Sequence, residues 1–245
     1  MPDAELPDAL EFDIDSVRQA VNSFPKLSGG GKSGLKPQHV KDGITCKSPL
    51  IEELLLGKLT RVVNMLAAGE GLQDVAPYVA GAPLAASIKD DQGVRPLACG
   101  EVLRRIVGKC CMKEELVKDA SKRLFEPRQV GVGCSGGGEA VVQSVNTIVH
   151  EKGHIPDLAL LKIDFRNAFN EVSRALFLTE LDSEIPELSH WARWCYGSDS
   201  KLWFHDIIID SREGAQQGDP IASLLFSLAL RSITKLIEER FPNLD

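Results

Sequence analysis

The longest nearly apolar run in the chain covers residues 221–230, and it opens on Asp219-Pro220. Aspartate suits the start of a helix, and proline suits its first turn, where no backbone N–H is required. A helix with apolar side chains on most sides cannot face water, so other elements have to enclose it. The run is far below the ~20 residues that cross a bilayer, so no transmembrane helix is expected. At 245 residues the chain can supply the enclosure. A globular chain of that size buries roughly 70% of its extended surface.

Around this helix the periodicities mix helix and strand. Ile14, Val17, Val21 and Phe24 stand at helical spacing. Residues 50–68 read as a buried helix with Leu54, Leu55, Leu59, Val62, Val63 and Leu66 on one broad face. Residues 78–88 read as extended and are followed by the turn signal KDDQG. One or two helices are expected over 101–122, and another over 139–150 with Val141, Val142, Val145 and Ile148 inward. LALLKI (158–163) is a strand candidate ending on Asp164. Helices follow over 168–181 and 191–196, then a strand over 202–210 with a turn near 210–212. The mixture predicts an α+β chain, with helices packed on a small antiparallel sheet.

The net charge is −7, from 28 basic and 35 acidic residues. Nucleic-acid binders usually carry a basic surface, so the total counts mildly against such a partner, although a local groove can still be basic. The six cysteines show no C-x-x-C pair and no zinc spacing, and they read as reduced thiols. The acidic N-terminus has neither a secretory leader pattern nor an Arg-rich transit pattern. An intracellular protein is expected.

Two motifs invite chemistry and resist it. GGGKSG (29–34) looks like a phosphate loop, but a Walker pattern would need glycine where Lys26 stands. GCSGG (133–137) fits a nucleophile elbow at Ser135, with Asp199 and His205 in triad order. No oxyanion segment accompanies it. Asp164 is more informative. A carboxylate at the end of an apolar strand can hold Mg²⁺, which prefers oxygen ligands and keeps phosphates in its shell. A plain helix cap is the competing reading. GAQQGDP (214–220) offers close backbone approach and amide hydrogen bonding before the apolar helix, or simply a turn.

Four segments stand together in one order: RPLACGEVLRRIVGK (95–109), QVGVGCSGGGEA (129–140), KIDFRNAFNEVSR (162–174) and EGAQQGDPIASLLFSLAL (213–230). In order and spacing they resemble the reverse transcriptase domain of non-long-terminal-repeat (LINE-like) retroelements. GGGKSGLKPQHVKD resembles the extension that precedes the fingers in those enzymes. The resemblance covers roughly residues 25–240.

It implies a right-hand polymerase fold, with an N-terminal helical extension at 1–80, a fingers-like part at 81–155 and a partial palm at 156–245. It implies RNA-directed DNA polymerase chemistry: nucleotidyl transfer from dNTPs to a primer 3′-end on an RNA template, with pyrophosphate leaving and Mg²⁺ in a two-metal arrangement. By resemblance, Asp164 and the Phe165 carbonyl are metal ligands. Phe169 is the gate against a ribose 2′-hydroxyl. Gln217 and Gly218 pack on the incoming nucleotide, and Arg95 lies near its triphosphate. Gln129, Gly131 and Gly133 line the template pocket. The family's remaining aspartates stand in an aromatic-x-Asp-Asp turn after the long helix. Residues up to 245 do not contain it, and Asp90-Asp91 comes too early. The chain alone is therefore expected to be inactive as a polymerase, with exposed apolar palm surface. The alternative is a non-catalytic retroelement relic or an RNA- or protein-binding module.

Overall fold

The computed structural model describes residues 6–88 and 93–241. The Asp90-Asp91 pair and the Arg95 side chain lie outside that description. The chain opens with α1 (Ile14–Asn22), capped by Asp13, whose carboxylate accepts the Ser16 N–H at 2.7 Å. Val17, Ala20 and Val21 are buried, whereas Ile14 at the first helical position is 39% exposed. After α2 (Pro37–Ile44) comes α3 (Pro49–Ala67). The buried residues of α3 are Leu56, Thr60, Val63, Leu66 and Ala67, with Leu59 and Val62 packed partly buried beside them, whereas Leu54 and Leu55 of the expected face are exposed. The buried face packs against α1 and against α5 (Val102–Cys111), and an i, i+4, i+7 stripe suffices for that.

A short turn, α4 (Ala76–Val79), leads into β1 (Ala82–Ile88) and β2 (Val94–Ala98). The expected 101–122 helix is two helices, α5 and α6 (Glu115–Phe125). Then come α7 (Gly137–Lys152), the single turn α8 (Ala168–Glu171), α9 (Arg174–Glu184) and α10 (Pro186–Tyr196). The hairpin β3 (Ser200–Phe204) and β4 (Ile207–Ser211) precedes the long α11 (Ala222–Arg240). The turn of that hairpin falls at His205, in the left-handed region with φ +53, and not at 210–212 as expected.

The fold is α+β, as the sequence indicated, but its sheet is mixed. Strand order is β2-β1-β3-β4, with two antiparallel hairpins joined by a parallel β1/β3 pairing of Ala82 with Leu202 and Pro83 with Trp203. A parallel pairing needs a long crossover. Six helices supply it, from α5 to α10. The core gathers Phe177, Leu181, Leu188 and Trp191 with Ile106, Leu224 and Leu225, all buried. The N-terminal half of α11 is the enclosed apolar helix that the sequence demanded.

Two expectations are corrected. Residues 158–163 form no strand. Leu160, Leu161 and Ile163 are 74%, 81% and 62% exposed. A strand exists only through a ladder, and among the described residues none lies beside this segment. The apolar stripe of α7 is likewise uncovered, with Val141 and Val142 more than half exposed and Val145 and Ile148 only partly shielded. The cysteines are as expected: all six are free, and Cys110, Cys111 and Cys195 are buried.

Candidate functional site

Three separate parts of the sequence meet around one cavity of about 670 Å³. Val94 and Pro96 come from β2, residues 164–170 from the loop into α8, and Gln217, Gly218, Asp219, Ala222 and Ser223 from the start of α11. Asp164, Phe165, Phe169, Gln217 and Gly218 are therefore brought together, although some fifty positions separate the two groups.

Local hydrogen bonds explain the arrangement. The loop before α11 is laced to α8: the Ala215 N–H donates to the Phe169 carbonyl at 2.7 Å, and the Gly214 N–H to the Val172 carbonyl at 3.0 Å. Gly214 has φ +73, and a Cβ there would lie 2.3 Å from the Asn170 carbonyl oxygen. Only glycine allows this approach. Arg174, at the start of α9, grips the same loop. Its guanidinium donates to the carbonyls of Gly214 (3.0 Å), Ser211 (2.8 Å) and Glu213 (3.2 Å). Gly218 has φ +98, and a Cβ there would lie 3.3 Å from the Ala98 carbonyl oxygen at the end of β2.

The Phe169 ring is half-buried and stacks on Phe226 of α11, with centroids 5.1 Å apart and planes at 23°. Phe165 meets the same Phe226 edge-on at 6.5 Å. Phe226 escaped the sequence reading. Its signal was helical spacing: Ala222 and Ser223 line the cavity, and Phe226 follows one turn on, against the Phe169 ring. Arg166 and Asn167 also line the cavity and were not singled out. Asn167 sits in the left-handed region, φ +53, and its amide donates to Glu171 at 2.9 Å.

Asp164 is exposed, and among the described residues its carboxylate has no hydrogen-bond or ion-pair partner. Asp219 differs. Its side chain is 1% exposed and is taken by Arg104 at 2.7 Å and by the Tyr196 hydroxyl at 2.6 Å. Among the described residues no group of three or more His, Cys, Asp or Glu side chains could hold a metal ion. Asp164, exposed and without a protein partner among the described residues, could serve as one oxygen ligand of a Mg²⁺ ion that takes its others from water and phosphate.

The remaining candidates stand elsewhere. The Gln129 amide oxygen accepts from the N–H groups of Gly131 and Val132, and its Nε2 donates to Ser227 of α11. This ties the 129–133 loop one helical turn beyond Ser223, beside the cavity but not among its lining residues. Arg95 stands in β2 opposite Ser87. The phosphate-loop pattern is already filled: Ser33 donates to the Glu101 carboxylate through its N–H (2.8 Å) and its hydroxyl (2.7 Å). No hydrogen bond joins Ser135, Asp199 and His205 among the described residues. Asp199 pairs with Arg212 at 3.2 Å instead, and His205 occupies the hairpin turn.

No family model matches the chain. It is 24% identical to the Retrotransposable element SLACS 132 kDa protein of Trypanosoma brucei gambiense, over 98% of its own length. The chain spans 20% of the length of that protein. No helix among the described residues is long and apolar enough to cross a membrane.

Proposed function

We propose that this chain is a retroelement-derived part of an RNA-directed DNA polymerase, and that the cavity around Asp164 receives a dNTP. The observation that carries the reading is the meeting of 164–170 with 217–223 in one open cavity of about 670 Å³. That volume lies within the range of small-molecule sites. The likeness to a retrotransposable element protein supports the same origin.

In this reading residues 81–155 serve as fingers and 156–245 as part of a palm. Asp164 would hold Mg²⁺ as one ligand, with the Phe165 carbonyl beside it. The metal would stabilise charge on the attacking and leaving oxygens. The chain's own residues do the positioning. Phe169, held from behind by Phe226, closes the space under the sugar and excludes a 2′-hydroxyl. Gln217 and Gly218 pack on the nucleotide from the α11 side. Arg166 offers charge to the phosphates, and Arg95 lies on the strand that forms the opposite rim. The 129–133 loop guides the template base. RNA template, DNA primer and dNTP are the partners.

A second reading, an RNA-binding module without turnover, is favoured by one observation: among the described residues Asp164 is the single carboxylate in the cavity not taken by a protein cation. The test is RNA-templated, Mg²⁺-dependent primer extension by the gene product containing this chain. Asp164→Ala is expected to lower extension by about 100-fold or more. Extension that survives Asp164→Ala overturns the polymerase reading. Salt-sensitive RNA binding with no extension at all selects the binding module.

A further inference from the structure

Gln217 and Gly218 are bracketed by two residues that do not face the cavity freely. Gln216 is 6% exposed and Asp219 has a side chain 1% exposed. Both end on one atom. The Tyr196 phenolic oxygen accepts the Gln216 backbone N–H at 3.3 Å and donates to the Asp219 carboxylate at 2.6 Å. The polar circuit then closes on itself. Asp219 accepts from Arg104, Arg104 donates to the Ala80 carbonyl, and the Gln216 side chain donates to the same carbonyl at 2.7 Å.

The ring of Tyr196 is fixed as firmly as its hydroxyl. The Arg104 and Arg174 guanidinium carbons lie 5.1 and 5.4 Å from its centroid, within cation–π range, and Phe177 packs edge-on at 5.5 Å. Tyr196 is 2% exposed and stands outside the cavity lining. Burial, then the neighbouring Asp219 charge, push its phenol far above the ordinary range, so it keeps the proton it donates.

We infer that Tyr196 is a positioning residue: its single oxygen fixes the residues on either side of Gln217 and Gly218 and so sets where they meet the ligand. The inference rests on the dNTP reading of the cavity. A displacement of about 1 Å in a positioning element can cost up to roughly 100-fold. Tyr196→Phe keeps the ring between the two guanidinium groups and removes only the shared oxygen.

The experiment compares the gene product containing this chain with its Tyr196→Phe, Asp219→Asn and Gln217→Ala variants. Three quantities are read: melting temperature, amide exchange at Gln216, and binding of the next templated dNTP with Mg²⁺ on an RNA/DNA primer–template. In Tyr196→Phe, exchange at Gln216 is expected to rise at least ~10-fold and dNTP affinity to fall ~10- to 100-fold. Asp219→Asn, which stands in should Tyr196→Phe fail to fold, moves both in the same direction. Lower melting with unchanged exchange and affinity overturns the positioning role and leaves the cavity reading intact. If the parent and Gln217→Ala bind dNTP equally, the cavity reading itself falls, whatever Tyr196→Phe does.

Discussion

Gly214 is the position at which the candidate site is most sensitive to a single methyl group. It combines a left-handed backbone, φ +73, with the closest approach in the site: its missing Cβ would stand 2.3 Å from the Asn170 oxygen and 2.6 Å from the Phe169 oxygen. Both lie well under the 3.0 Å that real Cβ contacts respect, and both neighbours are backbone, which cannot swing aside. Gly214→Ala therefore carries two costs. The left-handed conformation costs an L-residue about 1–2 kcal/mol. Forcing the α8 carbonyls back resembles overpacking, about 1–3 kcal/mol. The sum is about 2–5 kcal/mol, or ~5–20 °C in melting temperature for a chain of this size. Gly34 supplies the control. It has φ +77 with nothing within 4 Å of its Cβ position, so Gly34→Ala carries only the first cost, ~2–8 °C. Thermal unfolding by circular dichroism reads both variants, and Gly214→Ala should also weaken dNTP binding because Ala215 holds Phe169 from the next position. Equal melting shifts for the two variants would refute the close approach on which the site is built.

Three further outcomes are expected. Phe169→Val opens the space above Phe226 and should raise rNTP incorporation relative to dNTP at least ~10-fold in primer extension by the gene product containing this chain; an unchanged ratio removes Phe169 as the sugar gate. Arg104→Met leaves the Asp219 carboxylate buried without its cation and should cost about 3–5 kcal/mol in urea unfolding, with part recovered in Arg104→Met/Asp219→Asn; no recovery would break the assigned pairing. The buried thiols make stability fall in alkali. Burial, reinforced by Glu114, pushes Cys110 up to about 12, and burial likewise raises Cys111 and Cys195. The folded chain then holds protons that the unfolded chain releases above the ordinary thiol value near 9. Stability is complete below that pH and is lost above it, by about 1.4 kcal/mol per pH unit per thiol, up to about 12 for Cys110. Melting temperatures at pH 8 and pH 10 that coincide would contradict this.

Sequence determined a good deal of this protein. The apolar run at 221–230 required an enclosed helix, and α11 is enclosed along it. The caps, the glycine loops and the α+β mixture follow from local rules: Asp13 caps α1 because a carboxylate can reach the free N–H groups of a first turn. The resemblance carried by DFRNAF and QQGDP named residues that do share a cavity. Tertiary structure decided what sequence could not. The strand expected at 158–163 depends on a neighbour for its hydrogen bonds, and propensity alone supplies none. Whether β1 and β3 run parallel is set by the path of six helices between them, not by residues 82–88 or 200–204. Phe226, Arg104, Arg174 and Tyr196 matter through contacts between residues far apart in sequence: the Gln216–Tyr196 hydrogen bond spans 20 positions and the Arg104–Asp219 hydrogen bond 115. A buried charge or phenol has to find its partner within hydrogen-bond reach, and only the folded chain says which partner that is.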